Sequence, residues 1–179
     1  MNKRIIGTDQ NGASWNVVFP ANEMVVIVEK GNALGIRHVE DLAKPAVKFV
    51  RVTGDKDLAT GRTIESLKRV SDLEGNPKLA PTIIENSIID PSKPTSVPDV
   101  VRAVREDKAN ASVVYYFAAA AAGDQVDIIR FPESINLSDK IRNAATVPIN
   151  VKNSKARSLK APRARSQCLS LRRLVHLEY

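Results

Sequence analysis

Between Ser96 and Gly123 the chain reads SVPDVVRAVREDKANASVVYYFAAAAAG. Ser96 followed three positions on by Asp99 has the capping-box pattern, and Pro98 stands in what would be the first turn, where a helix tolerates proline. The spacing predicts a helix with Val97, Val100, Val101 and Val104 as its apolar stripe. Arg102, Arg105, Glu106 and Asp107 fall mostly on the other side, and Lys108-Ala109-Asn110 breaks the pattern. Ser112-Val113-Val114-Tyr115-Tyr116-Phe117 is β-branched and aromatic without clean alternation, which predicts a strand covered on both faces. Ala118 to Ala122 then turn the chain into another short helix before Gly123-Asp124. In an open α/β sheet, ligands collect at the carboxyl ends of strands and the amino ends of helices, where free N–H groups and the helix dipole favour an anion. Ser96, Val97 and Tyr115 are therefore expected to flank one crevice.

Outward from this stretch, strands and helices alternate. Glu23 to Lys30 is an apolar strand ended by Gly31-Asn32, His38 to Ala43 reads as one or two helical turns stopped by Lys44-Pro45, and Val47 to Val52 is a second strand. After the loop Thr53 to Gly61 a helix is expected, with Ile64, Leu67 and Val70 inward and Arg62, Glu65, Lys68 and Arg69 outward. Thr60-Gly61 is thus a strand-to-helix turn whose N–H groups could hold an oxyanion, although Thr60 read alone is an ordinary capping hydroxyl. Leu73 to Pro94, studded with proline, reads as a loop with a short strand. Val126 to Phe131 and Ala145 to Val151 are further strands, with Pro148 placing the last at an edge or crossing point. The order indicates an α/β domain with a mixed, largely parallel sheet flanked by helices.

A chain of 179 residues with 43% hydrophobic content can bury a real core, while 4% aromatics argues against a stacking platform for single-stranded nucleic acid. The net charge of +7 is misleading. The last 29 residues hold eight Lys or Arg and one acid, so residues 1–150 carry 19 bases and 19 acids. One cysteine, Cys168, rules out an internal disulfide, and His38 and His176 stand without partners at metal spacing. The N-terminal residues lack the apolar segment of a secretory leader and no run is long enough to span a bilayer, so a cytoplasmic location is expected for the chain as written.

Three segments in order, NEMVVIVEKGNALGIRHVEDLAKPAVKFV, GDKDLATGRTIESLKR and SVVYYFAAAAAGDQVDIIRFPESIN, resemble the molybdate and tungstate binding proteins of ABC transporters, in the type II periplasmic binding-protein fold. The resemblance covers about residues 19 to 155. It implies a lobe with hinge strands around Phe19 to Val28 and Val147 to Val151, a tetrahedral oxyanion held by neutral donors, a periplasmic or extracellular, membrane-associated setting, a permease as partner, contact with a membrane only through that permease, and no other cofactor. Carried over residue by residue, Thr60 with Gly61 takes the place of the family's backbone donor turn, with Ala59 where the family has proline. Val97, beside Ser96, takes the donor place at a helix N-terminus, and Tyr115 takes that of the ligand tyrosine, with Tyr116 as the alternative if the register slips by one. Read without the resemblance, Tyr115 is a core aromatic.

The chain departs from the family twice. About twenty residues precede the first hinge strand and resemble no first lobe, and the sequence after Ser154 is basic, Ser/Arg/Leu-rich and poorly patterned. The expectation is a truncated or frame-shifted form with an undefined segment 1–18, a lobe 19–155 and a disordered or weakly helical tail 156–179. A second hypothesis makes the body a ligand sensor and Arg163, Arg165, Arg172 and Arg173 a nucleic-acid-binding arm; with no helix-turn-helix visible it ranks below the first. An enzyme has little support. No nucleophile–base pair, phosphate loop or paired carboxylates emerge, and Asp55 with Asp57 reads as a solvated turn.

Overall fold

In the computed structural model, which describes residues 17–18, 22–54, 57–89, 94–147 and 152, the chain forms β1 (Val17–Val18), β2 (Met24–Glu29), β3 (Phe49–Val50), α1 (Leu58–Leu73), α2 (Leu79–Glu85), α3 (Val97–Arg105), β4 (Ala111–Tyr115), α4 (Tyr116–Ala121), β5 (Val126–Arg130) and β6 (Ala144–Ala145). Short 3-10 turns occupy Val39–Ala43 and Gly123–Gln125. Met1–Pro20 and Arg142–Tyr179 make one unit and Ala21–Ile141 another. In the first unit β1 pairs antiparallel with β6, Val17 opposite Ala145 and Val18 opposite Ala144. All the other elements belong to Ala21–Ile141. The expected tail 156–179 lies outside the described residues, as do Phe19 and Pro148 to Val151 of the expected hinge strands.

The sheet of the larger unit runs β3-β4-β2-β5. β3, β4 and β5 share one direction and β2 opposes them, so the sheet is mixed, as expected, but not largely parallel in its pairing. β3 with β4 is the single parallel pair, while β2 lies antiparallel between β4 and β5. The helical crossover from β3 to β4 leaves those strands parallel. β2 enters ahead of that crossover and takes the central place, a choice that no residue within MVVIVE records.

What MVVIVE does record is burial on both sides. Met24, Val26 and Val28 pack with Leu42, Phe49, Leu67, Val70 and Ile83, whereas Val25 and Ile27 face Val100, Val104, Val114 and Ala119. All five residues from Met24 to Val28 are at most 1% exposed. At about 1.5–3 kcal/mol per buried side chain, such a strand supplies gross stabilisation on the order of 10 kcal/mol, the scale of a whole domain's net stability.

α3 forms as its sequence predicts: Ser96 and Asp99 make the capping box, Pro98 sits in the first turn, and Val100, Val101 and Val104 are buried. α1 buries Ala59, Thr63, Ser66, Leu67 and Val70. Ile64, expected inside, is 40% exposed, because the stripe through Ala59, Thr63, Leu67 and Val70 turns position 64 outward. α2 replaces the loop expected between Leu73 and Pro94. Pro81 falls in its first turn, where no backbone donor is needed, Ser71 Oγ accepts the Ala80 N–H at 2.7 Å, and Leu79, Ala80 and Ile83 enter the core. The strand expected over Val47 to Val52 pairs only at Phe49–Val50, with Val50 also bridging Ile88, and that over Ala145 to Val151 is described only as β6.

Candidate functional site

Three of the expected positions stand at the carboxyl-terminal edge of β3 and β4. The parallel register sets Phe49 opposite Ala111 and Val50 opposite Ser112, so the two strands end on the same side of the sheet, with Thr53 three residues past β3. Thr53 is in turn bound to Thr95, next to the start of α3, through the Thr53 N–H to the Thr95 carbonyl and the Thr95 N–H to the Thr53 hydroxyl. The start of α1 is anchored to the same loop by the Thr60 hydroxyl, which donates to the Gly54 carbonyl at 2.9 Å. Further along α1, the Thr63 hydroxyl reaches the Val113 carbonyl at 3.4 Å, two residues before Tyr115.

The donors at this edge are not equally free. Asp57, not Thr60, is the N-cap of α1: its carboxylate accepts the Ala59 N–H at 2.8 Å, and its carbonyl accepts the Thr60 N–H at 3.1 Å. Both donors of Thr60 are therefore already engaged inside the turn. Gly61 presents bare backbone, with nothing within 4 Å of where a Cβ would stand. At α3, the Ser96 N–H and hydroxyl both donate to Asp99 Oδ2, at 3.1 and 2.6 Å. These bonds, together with Arg102, hold the Asp99 carboxyl below its usual range. Pro98 has no N–H. Among the described residues the Val97 N–H, first in its helix, has no acceptor.

Tyr115 ends β4 half-buried, its ring stacked on Phe117 with centroids 6.1 Å apart and planes 15° from parallel. Among the described residues its hydroxyl has no hydrogen-bond partner. Burial raises its pKa above 10.0, the nearby Asp57 carboxylate adds to the rise, and Arg62 opposes it, so the phenol stays a neutral donor. Tyr116 is committed elsewhere: its N–H donates to the Glu23 carbonyl at 2.8 Å and its ring lies under the Arg130 guanidinium, 4.3 Å from the centroid. Sequence reasoning passed over Arg62 and Glu65 as solvated helix residues. Their ion pair, Arg62 Nη1 to Glu65 Oε2 at 2.8 Å, and the contact of Lys140 and Arg69 with the other Glu65 oxygen are only partly exposed. The i, i+3 spacing of Arg62 and Glu65 was the available signal.

No group of His, Cys, Asp and Glu suited to a metal ion occurs among the described residues, and no helix there is long and apolar enough to cross a membrane. Residues 5–160 match the family of bacterial extracellular solute-binding proteins. The chain belongs to that family. Members of the solute-binding family generally bind rather than transform their ligands, and the family's extracellular setting leaves the cytoplasmic location expected from the first residues without support.

None of the curated proteins compared matches the chain. Among solved structures, the substrate-binding domain assigned to a molybdenum ABC transporter from Clostridium difficile aligns with 68% of this chain and 48% of its own length, at 16% identity and a TM-score of 0.52. The sulfate-binding protein SubI from Mycobacterium tuberculosis aligns with 87% and 53%, at 16% identity and 0.50. PEB3 with L-phospholactate bound aligns with 72% and 52%, at 18% identity and 0.50. The likeness is one of fold, and the chain spans about half the length of these solved structures.

Proposed function

We propose that the Ala21–Ile141 unit is the small-oxyanion-binding lobe of an ABC importer's solute-binding protein, with molybdate and tungstate as the first ligands to test and a permease as its partner. The observation that carries this reading is the pair of uncommitted neutral donors, the Val97 N–H and the Tyr115 hydroxyl, at one edge of the sheet. An oxyanion can be held without a counter-charge when several N–H and O–H donors and a helix dipole are aimed at it, because each bond to the charged acceptor is about twice as strong as a neutral one. Thr60, Gly61 and Ser96 complete the set in this reading. Gly61 leaves room at the start of α1, while Thr60 and Ser96 hold their turns in place with donors already used. Sulfate and L-phospholactate, named for two of the structural neighbours, are small anions, and a third neighbour is assigned to a molybdenum transporter; these support the reading.

Calorimetric titration of the protein with molybdate, tungstate and sulfate, repeated on Tyr115→Phe, tests it. Micromolar or tighter binding of one anion, weakened in the variant, is expected. Absence of heat from all three anions, or equal affinity in the variant, contradicts the proposal.

A further inference from the structure

The edge that offers Val97 and Tyr115 to an anion carries features for which a bare mineral oxyanion has no use. Phe117, stacked on Tyr115, is 55% exposed, and Leu58, the first residue of α1, is 77% exposed. An oxyanion has no apolar surface to set against either. One turn into α1 stands Arg62, one residue before Thr63, whose hydroxyl meets β4 at Val113. Glu65 holds one end of the Arg62 guanidinium at 2.8 Å, and Glu65 is itself clasped by Lys140 and Arg69, which fixes the charge on a side chain that would otherwise sweep freely. No other described residue bonds the remaining N–H groups of Arg62.

We infer that this edge selects a small organic anion with two acidic groups. One is a phosphate or similar head held by the Val97 N–H and the Tyr115 hydroxyl; the other is a carboxylate taken by Arg62, with the short carbon body lying against Phe117. The inference rests on the oxyanion reading of Val97 and Tyr115 and extends it to ligand class. Arg62 and Phe117 are then specificity-determining residues, and Glu65 is a positioning residue acting through Arg62. A guanidinium donates two parallel N–H bonds to a carboxylate, which a lysine cannot reproduce. The apolar body covers ring surface that is otherwise left in water.

The test is calorimetric titration of the whole chain with L-phospholactate and with inorganic phosphate, on the native protein and on Arg62→Gln, Arg62→Lys and Phe117→Ala. Circular dichroism verifies that each variant is folded. The native protein is expected to bind L-phospholactate at least about tenfold more tightly than phosphate, a difference that one good charged contact supplies. Arg62→Gln is expected to abolish the preference, costing L-phospholactate at least about tenfold more affinity than phosphate; Arg62→Lys keeps only part of the preference, and Phe117→Ala narrows it. Equal affinity of the native protein for the two ligands, or a preference that survives Arg62→Gln, overturns the inference while leaving the oxyanion reading standing. Failure of the native protein to bind phosphate, molybdate or L-phospholactate overturns both.

Discussion

Thr53 and Thr95 hold each other by two hydrogen bonds, the Thr53 N–H donating to the Thr95 carbonyl at 3.1 Å and the Thr95 N–H to the Thr53 hydroxyl at 2.9 Å. The two residues are 42 positions apart, and their contact is what fixes the entry of α3 beside the end of β3. Thr53→Val removes the hydroxyl, keeps the shape and strands the Thr95 N–H. The expected cost is about 1–3 kcal/mol in chemical denaturation, with weaker anion binding. Unchanged stability and affinity would show that the contact does not organise the edge.

Tyr115 and Tyr116 are adjacent but differently engaged, the first stacked on Phe117 and the second under Arg130. Tyr115→Phe deletes a hydroxyl with no partner among the described residues, so stability should hold while anion affinity falls by the worth of one bond to a charged ligand, about 1.5–3 kcal/mol, or roughly tenfold to a hundredfold. Tyr116→Phe keeps the ring under Arg130 and should leave affinity as it was. Isothermal titration of both variants distinguishes them, and a loss confined to Tyr116→Phe would reverse the assignment.

Asp41 gives the lobe an acid-sensitive corner. The Lys44 ammonium and the Arg37 and His38 N–H groups, bonded at 2.7, 2.8 and 3.0 Å, lower its pKa from 3.8 to about 2. Because the folded-state value is depressed, the stabilisation is complete above about pH 4 and is lost as pH falls from there through about 2. Asp41→Asn should lower stability at neutral pH and flatten the fall between pH 4 and pH 2, as read from denaturation midpoints at each pH. An unchanged acid profile would remove Asp41 from the account.

Ile27, fully buried in the middle of the central strand, is the most direct probe of the core. Ile27→Ala should destabilise the lobe by about 2–5 kcal/mol, the transfer loss plus the cavity left behind. A cost below about 1 kcal/mol would be that of an exposed site and would contradict the placement of β2 between β4 and β5.

What could be read from the chain was what depends on neighbours in sequence. Ser96, Pro98 and Asp99 specify the start of α3 within four positions, and Met24 to Val28 declare an apolar strand by composition alone. α2 escaped because Pro81 reads as a breaker until its place in a first turn, capped by Ser71 from nine residues back, is known. The opposed direction of β2 escaped because pairing Met24 with Tyr115 is a choice among distant partners. At the sheet edge, the start of α3 at Val97 was legible, and so was a strand running through Tyr115. The spent donors of Thr60 were not, since the Gly54 carbonyl and the Asp57 cap that consume them belong to a turn whose closure is set in three dimensions.

A tungstate complex tests the central claim most directly, because tungsten scatters strongly enough to be located by its anomalous signal without reference to the protein's own density. One anomalous peak is expected at the edge of the sheet, with the tungstate oxygens within hydrogen-bonding distance of the Val97 N–H and the Tyr115 hydroxyl. A peak elsewhere on the chain, or none in crystals saturated with tungstate, would contradict it.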